Sequence, residues 1–164
     1  MPIHAEGQYS LADVWRGNRL NSWKLLTIYS VIGVLILPLA VLASLHDEAG
    51  WKDQWPLFAA GLFFLSWAWI VVFYRSYRLK TGSPNLKGLV RYEFDESGIQ
   101  CTALHSQSEV RWPAILKWKE GEDTILMYHA PKLANIIPKR FFQSPGDVDA
   151  LRNLLRTNVQ PKKN

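Results

Sequence analysis

The stretch "LLTIYSVIGVLILPLAVLASL", Leu25–Leu45, decides the fold, because its 21 residues carry no charged side chain. A second stretch, "PLFAAGLFFLSWAWIVVFY" at Pro56–Tyr74, has the same character over 19 residues. At about 1.5 Å rise per residue, each stretch is long enough as a helix to cross the roughly 30 Å hydrocarbon core of a bilayer. Pro38 lies inside the first stretch, but membrane helices tolerate a proline with a kink. We therefore expect a transmembrane hairpin over residues 23–80, with spans at about 25–45 and 56–74.

Two other interpretations of these stretches are weaker. Two buried helices of a soluble core would need a large covering domain, and the remaining chain is too short to surround two helices that are apolar all round. A cleaved signal peptide is disfavoured because the first stretch begins after 24 mostly polar residues and exceeds the usual apolar core of about 7–15 residues.

The charges that flank the two stretches set the expected direction of the hairpin. Basic residues lie before the first stretch and after the second, whereas the connecting segment "HDEAGWKDQW" holds three acidic residues and one lysine. Positive charge marks the cytoplasmic side. The sequence thus predicts a multi-pass membrane protein with both termini in the cytoplasm. Tryptophan favours the membrane interface, and the expected interface anchors are Trp15, Trp23, Trp51 and Trp55.

The N-terminal segment, residues 1–22, reads as an interfacial lead-in to the hairpin. Ser10 followed by Asp13 is a helix-capping signal, and Leu11, Val14 and Trp15 fall on one helix face. Two positions for this helix stay open. It either lies on the cytoplasmic membrane surface or packs on the cytoplasmic domain.

Residues 81–160 are expected to form a small α+β cytoplasmic domain after the break "TGSPN" at 81–85. Alternating apolar and polar residues predict an antiparallel sheet or partial barrel of five or six strands, at 89–94, 99–104, 108–112, 114–118, 124–130 and 131–138. A C-terminal helix over 145–157 should cap the sheet, because Ser144 suits the N-cap, Pro145 the first turn and Asp147 the positive end of the helix dipole.

Several of these elements together resemble a known family. The shared elements are the Phe94–Asp95–x–x–Gly98 hairpin, a strand ending in Trp112, the string "IIPKRFF" at 136–142 and a terminal Leu-rich helix. With two preceding membrane spans, this layout is similar to the YcxB-like family of small bacterial membrane proteins. The resemblance extends over nearly the whole chain. It implies a β-rich cytoplasmic domain similar to bacterial pleckstrin-homology-like domains, and it implies no established activity.

The residues that could support catalysis do not form a recognisable motif. The four histidines lack metal-ligand spacing, and the single Cys101 excludes an internal disulfide and any multi-Cys metal site. Cys101 lies in an alternating strand and is expected to be a small buried side chain rather than a nucleophile. Glu120, Glu122 and Asp123 form an acidic hairpin tip of the kind usually solvated. We therefore expect no enzyme activity, no metal and no cofactor.

The chain is basic, and from Arg75 onward it has 15 Lys and Arg against 9 Asp and Glu. Nucleic-acid binding is not expected, because no basic patch is interleaved with base-stacking aromatic residues. Attraction to anionic inner-leaflet lipid explains the charge more simply, at roughly 1 kcal/mol per basic residue near the surface. The candidate headgroup or partner contacts are Arg75, Arg78, Lys80, Lys87, Lys139 and Arg140. For the four that follow the second span, fixing topology alone is an equal alternative.

The pair Lys139–Arg140 lies between two apolar pairs, Ile136–Ile137 and Phe141–Phe142, and follows Pro138. The favoured interpretation is a structural seam at a corner of the sheet. Pro138 stops the strand ladder because it has no N–H, and a phenylalanine packs beneath the helix. Contact with a phosphate-bearing headgroup or with an acidic partner surface is the alternative.

Three functions remain consistent with these residues. The first is a non-enzymatic membrane protein whose cytoplasmic domain binds a protein partner or assembles with itself. The second is a lipid-binding module that engages anionic headgroups in the manner of pleckstrin-homology domains. The third is a membrane-anchored immunity or accessory protein for a neighbouring toxin. Gly33 and Gly61 could support close helix packing, so a homo-oligomer is left open.

Overall fold

The computed structural model describes residues 2–46, 51–131 and 133–159. The chain forms two compact units: Met1–Gly17 together with Ser76–Asn164, hereafter the β-module, and Asn18–Arg75, hereafter the helix pair. The helix pair is thus an insertion in the sequence of the β-module, and the chain leaves the β-module and returns to it once.

The helix pair consists of α2 (Trp23–His46) and the first three-quarters of α3 (Trp51–Gly82). A Cβ atom placed on Gly33 would lie 2.6 Å from Leu65 Cγ and 2.9 Å from the Gly61 carbonyl oxygen. One placed on Gly61 would lie 2.7 Å from Leu37 Cδ2. The two glycines therefore allow the helix backbones to approach closely, as small residues do in membrane helix pairs.

Large apolar side chains cover the outside of the helix pair. Leu35, Leu45, Trp55 and Leu62 are each at least 60% exposed. Only 17% of the most apolar 18-residue window of either helix is buried, whereas a core helix of a soluble protein would be mostly buried. The structure thus contains two helices long and apolar enough to cross a membrane, as the sequence predicts. The second is longer than its predicted span, because the helix continues past Tyr74 to Gly82.

The β-module contains two antiparallel sheets and, within the described residues, seven strands. The four-stranded sheet has the order β1 (Ile3–Gln8), β2 (Leu89–Phe94), β3 (Gly98–Ala103) and β4 (Ser106–Arg111). The three-stranded sheet has the order β5 (Lys117–Glu120), β6 (Thr124–Ala130) and β7 (Leu133–Pro138). Within each sheet, every strand that the structure describes pairs with the strand next to it in sequence order. The connection from β1 to β2 contains the helix pair and is longer than the other connections within the two sheets.

Strand β1 lies within residues 1–22, which are expected from the sequence to be an interfacial segment, and it adds a fourth strand to the sheet. It pairs with β2 from Ile3 opposite Phe94 to Gln8 opposite Leu89. Its inward residues Ile3 and Ala5 are buried in the core. Helix α1 (Leu11–Asn21) follows directly, with Ser10 and Asp13 bonded to each other as the capping signal predicts.

Strand β5 begins later than predicted. Residues 114–118 were expected to be a strand, but Trp112–Ala114 forms a 3-10 turn and the strand covers Lys117–Glu120. The reason is Pro113, which has no N–H for a strand ladder and suits the first turn of a helix. The other predicted strands agree with the observed ones to within about two residues, which is the usual uncertainty of element ends.

Helix α4 (Pro145–Asn158) ends the described chain nearly where 145–157 was predicted. Its N-terminus has a complete capping box between Ser144 and Asp147, with Pro145 in the first turn. Leu151 and Leu155 are fully buried in the core that both sheets share. Each such side chain stabilises the fold by roughly 1.5–3 kcal/mol, so α4 is part of the core of the β-module.

Candidate functional site

The predicted seam at Lys139–Arg140 is a 3-10 turn, Lys139–Phe141, between β7 and α4. Pro138 is the last residue of the β7 ladder, opposite Thr124. Phe141 and Phe142 are both buried, at 3% and 8% exposure, so both aromatic rings anchor the turn where one was expected. The two cationic side chains therefore start from a fixed backbone at a corner of the β-module.

Arg140 binds Asp13 of α1 with two nitrogen atoms. Nη2 donates to Oδ2 at 2.6 Å and Nε donates to Oδ1 at 3.1 Å, and Nη2 also donates to the Gln8 carbonyl at 2.7 Å. The Asp13 side chain is only 4% exposed, whereas that of Arg140 is 51% exposed. The guanidinium therefore serves as a clamp that fixes α1 and the end of β1 against the corner.

The same contacts keep the Asp13 carboxylate ionised. Burial opposes ionisation, but hydrogen bonds from Arg140 and Ser10 outweigh it and hold the pKa of Asp13 below its usual value. A buried carboxylate needs such partners, since an unpaired buried charge is strongly unfavourable. Ser10 and Arg140 together supply them, so Asp13 is a structural charge of the corner.

Lys139 takes part in a second ionic cluster. Its Nζ lies 2.6 Å from Glu120 Oε1 of β5, and Arg152 Nη2 of α4 lies 2.7 Å from the same oxygen. Arg152 also pairs with Asp149 one turn earlier. Hydrogen bonding from Arg152, aided by Lys139, lowers the pKa of Glu120 to about 2. The cluster links the sheet, the corner and the last helix.

A cleft of about 430 Å³ lies beside this corner. Its walls include Phe142 and Val148 and the cationic side chains Lys139 and Arg152. Both cations are held by Glu120. An anion entering the cleft would therefore compete with a carboxylate of the protein itself.

The four basic residues that follow the second apolar stretch are placed differently. Arg75, Arg78 and Lys87 are exposed, and Lys80 donates a hydrogen bond to the Leu86 carbonyl. The first three of the group, Arg75, Arg78 and Lys80, extend from the final turns of α3. Of the six predicted contact residues, the structure thus joins Lys139 and Arg140 to carboxylates and leaves three others at the surface.

The predicted interface anchors lie on three helices. Trp23 at the start of α2 is 48% exposed, and Trp55 near the start of α3 is 63% exposed. Trp15 on α1 is partly buried. The side chain of Trp51 lies outside the described residues. Exposed Tyr74 and Tyr77 stand beside the basic end of α3, so the aromatic and basic residues typical of a membrane interface occur together there.

A buried phenol pair lies behind the corner. The hydroxyls of Tyr9 and Tyr92 are 2.9 Å apart, and Tyr9 donates to the Ile136 carbonyl. Burial raises the pKa of both phenols. Burial also raises the pKa of the Cys101 thiol, despite its hydrogen bonds with Tyr92 and Ser108. The thiol is therefore protonated at neutral pH, which disfavours a nucleophilic role.

The remaining ionisable side chains form no metal site in the part of the chain that the structure describes. No group of three His, Cys, Asp or Glu residues could hold a metal ion among residues 2–46, 51–131 and 133–159. His105 lies in the turn between β3 and β4, and His129 lies near the end of β6.

Sequence reasoning missed the partners of the corner. Asp13 was interpreted only as a capping residue, and Glu120 only as part of a solvated tip. The long-range pairing that joins them to Arg140 and Lys139 leaves no periodic signal in the sequence. Strand β1 did leave one, because Ile3, Ala5, Gly7 and Tyr9 alternate with polar residues, as in a half-buried strand.

The Phe–Asp–x–x–Gly hairpin has a clear structural basis. The Asp95 carboxylate accepts hydrogen bonds from the Ser97 and Gly98 amides at 2.7 and 2.9 Å, and its carbonyl accepts one from Trp112 Nε1. A Cβ atom on Gly98 would lie 2.4 Å from the Val110 carbonyl oxygen. Glycine is therefore required where β4 passes, and the aspartate closes the turn.

Fold and site together define a class of protein: a two-helix apolar hairpin inserted into a seven-stranded α+β module. Residues 94–155 match the family model of the YcxB-like proteins. The match runs from the end of β2 through most of α4. It includes the β2–β3 hairpin and the Lys139–Phe141 turn. The resemblance to the YcxB-like family is therefore confirmed for this segment. No curated protein and no solved structure matches the chain.

Proposed function

We propose that the helix pair crosses a bacterial inner membrane twice and holds the β-module in the cytoplasm as a non-enzymatic interaction module. The observation that carries the proposal is the apolar outer surface of α2 and α3, of which large parts are exposed. In water this surface would be unfavourable by about 25 cal/mol for every Å² of apolar area. A bilayer covers it without a further protein domain.

The direction of the hairpin is supported by the charges at its ends. Arg75 and Arg78 follow the second span, and Lys24 begins the first, so these cations lie at the ends from which the chain connects to the β-module. Cytoplasmic ends of spans carry such an excess of Lys and Arg. Both termini, which belong to the β-module, are then cytoplasmic.

We further propose that the β-module has a pleckstrin-homology-like fold. Supporting this are the sequential strand order, the division into sheets of four and three strands, and the C-terminal helix packed into the shared core. Strand β1 supplies the seventh strand. The hairpin then occupies the connection between the first two strands of the barrel.

An interaction role is supported by the outer edge of the four-stranded sheet. Strand β4 is the last strand of its sheet, and five of its six residues are exposed. An exposed edge strand offers unpaired backbone groups to which a partner or a second copy can add a strand. The ionisable groups of the corner, in contrast, are held in structural ion pairs.

A second candidate function, binding of anionic lipid, is favoured by a separate observation. Arg75, Arg78 and Lys87 are exposed near the end of a proposed membrane helix. Basic residues at such a position attract anionic headgroups. Lys139 and Arg140 are bound to carboxylates. Lipid binding would therefore depend on Arg75, Arg78 and Lys87.

Topology is tested with accessible cysteines in intact cells. In a Cys101→Ser background, Gln107→Cys on β4 should react with a membrane-impermeant maleimide only after the cells are opened. Ala49→Cys, in the segment between the two helices, should react in intact cells. Labelling of Gln107→Cys in intact cells would overturn the cytoplasmic location of the β-module. Release of the full chain by alkaline carbonate would overturn its membrane insertion.

The interaction role is tested by photo-crosslinking of the full chain in its native membrane. A crosslinker at Gln107 on the edge strand is compared with one at Gln100 on the interior strand β3. A discrete adduct at Gln107, lost in a Glu109→Pro background, supports strand addition, because the Glu109 backbone groups alternate away from β3 towards the open edge. An adduct of twice the chain mass identifies self-assembly. Equal products at both positions, or none, contradict the role of the edge.

A further inference from the structure

The end of the four-stranded sheet from which the chain leaves for the hairpin carries an unusual turn. Strand β1 ends at Gln8, directly opposite Leu89, where β2 begins after the hairpin. The chain therefore departs for α2 and returns from α3 at the same end of the sheet. The turn between β3 and β4 lies at this end too, because β3 runs back beside β2.

The residues of this turn are not those typical of a two-residue connection between strands. Ala103 pairs with Ser106, so Leu104 and His105 form a two-residue connection. Such turns normally use Asn, Asp or Gly. A leucine and a histidine depart from that rule, and departures of this kind concentrate at functional positions.

Leu104 and its neighbour Leu89 are exposed apolar residues. Leu104 is 63% exposed and Leu89 is 54% exposed. Leu89 is the first residue of β2, and Leu104 follows the last residue of β3, which pairs antiparallel with β2. The two exposed leucines therefore lie at the same end of the sheet. With exposed Lys87 and His105 they form a small apolar and basic surface, hereafter the leucine tip.

The leucine tip is attached to the end of α3 by several contacts. Lys80 donates to the Leu86 carbonyl, and Asn85 Nδ2 lies 2.9 Å from Ser106 Oγ. A Cβ atom on Gly88 would lie 3.0 Å from Leu104 Cβ. The segment that follows α3 thus contacts the turn. Its contact residues Asn85 and Gly88 lie within a few residues of the end of α3 in the sequence.

We propose that the leucine tip is a second membrane contact of the β-module. Leu89 and Leu104 enter the interfacial layer of the bilayer that the helix pair crosses, and Lys87 meets its anionic headgroups. The inference rests on the proposed membrane insertion and names the surface that lies against the lipid. The basic residues Arg78 and Lys80 at the end of α3 give the surroundings of the tip the charge that suits an anionic leaflet.

A surface of only two leucines suffices because the module is already tethered. Tethering turns the second contact into an intramolecular event with a high effective concentration, so little further binding energy is needed. A free domain with so small an apolar surface would bind a membrane weakly. The tip would thereby fix the orientation of the sheet on the membrane, while the hairpin supplies the anchoring.

The test measures the depth of single labels in the full chain. In a Cys101→Ser background, an environment-sensitive fluorophore is attached at His105→Cys, which leaves both leucines intact. The matched control is Glu96→Cys, at the opposite end of the same sheet and about 20 Å away along six residues of strand. The protein is reconstituted in vesicles of phosphatidylglycerol and phosphatidylcholine that carry a nitroxide near the top of the acyl chain. A label at Leu62→Cys, exposed on α3, reports insertion of the hairpin.

We expect the nitroxide lipid to quench the label at position 105 more strongly than the label at 96. Changing Leu89 and Leu104 to serine should lower the quenching at 105 to the level at 96. Equal quenching at 105 and 96, with strong quenching at 62, overturns the inference and leaves the membrane proposal intact. A label at 105 that is shielded from water but not quenched would mean that protein covers the tip, which also overturns it. Absence of quenching at 62 overturns the membrane insertion itself.

Discussion

Arg140 and Asp13 lie 127 residues apart in the chain and meet at 2.6 Å, with the carboxylate buried and the guanidinium half exposed. The pair joins the turn after β7 to the helix that leads into the first apolar span. One member of the basic pair, Arg140, therefore binds a residue that precedes the helix pair in the sequence. The partner of Arg140 is determined by the tertiary fold.

Replacing Arg140 with alanine should lower the free energy of unfolding by about 1–3 kcal/mol, because a buried acceptor loses its partner. Arg91→Ala is the matched control. Arg91 also meets a carboxylate, Glu6, at 2.6 Å, but both side chains are largely exposed, and such pairs contribute about 0–1 kcal/mol. Chemical denaturation of the full chain in detergent, followed by circular dichroism, measures both. Equal losses in the two variants would contradict the clamp.

The ionic cluster around Glu120 predicts a loss of stability in acid. Its pKa is lowered from an ordinary value of 4.5 to about 2 in the folded protein, mainly by Arg152. A carboxyl group with a lowered folded-state pKa stabilises the fold fully above its unfolded pKa, and the contribution is lost as the pH falls through the folded value. The β-module should therefore lose stability between about pH 4.5 and 2, and Glu120→Gln should flatten that dependence. Thermal unfolding across this pH range provides the measurement, and an unchanged slope in the variant would refute the role of Glu120.

Residues 81–164 should not fold on their own. They lack β1, so the edge of β2 would be unpaired and the core would lose Ile3, Ala5 and Tyr9, all of which are buried. A chain in which a flexible linker replaces residues 18–75 keeps β1 and should fold. Amide dispersion in nuclear magnetic resonance spectra distinguishes the two chains. A well-dispersed spectrum from 81–164 alone would show that β1 is dispensable.

Gly98→Ala should destabilise the β-module by about 1–3 kcal/mol, the usual cost of overpacking. The new methyl group would lie 2.4 Å from the Val110 carbonyl oxygen, and backbone atoms cannot move aside cheaply. Gly82→Ala serves as the control, because nothing lies within 4 Å of the added atom there. Unfolding midpoints of the two variants are compared, and a neutral Gly98→Ala would mean that β4 can shift.

Thr124→Val should be neutral or stabilising by about 1 kcal/mol, because burying an unbonded hydroxyl is unfavourable. The Thr124 hydroxyl is buried and makes no hydrogen bond to any residue that the structure describes. Thr102→Val, on the exposed face of β3, should change little. A marked loss of stability in Thr124→Val alone would reveal a partner for the hydroxyl, such as a bound water.

The sequence predicted local elements well and long-range ones poorly. The β2–β3 hairpin follows from alternation and from the turn "DESG", and α4 follows from its capping residues and apolar face. Strand β1 was overlooked because it is short and adjoins a helical signal, although Ile3, Ala5 and Tyr9 alternate with polar residues. The register between β1 and β2 depends on a return of the chain after the hairpin, and local pattern carries no information on that return.

The sequence alone determined the two long apolar helices, the basic residues at their ends, the strand-rich module and its last helix. Each depends on residues close together in the chain, whose spacing and polarity report directly on local structure. Tertiary structure alone decided that the hairpin is inserted between two paired strands. It also decided that Arg140 binds Asp13, that Lys139 and Arg152 share Glu120, and that Leu89 and Leu104 lie at the same end of the sheet. These contacts depend on which distant segments the shared core brings together.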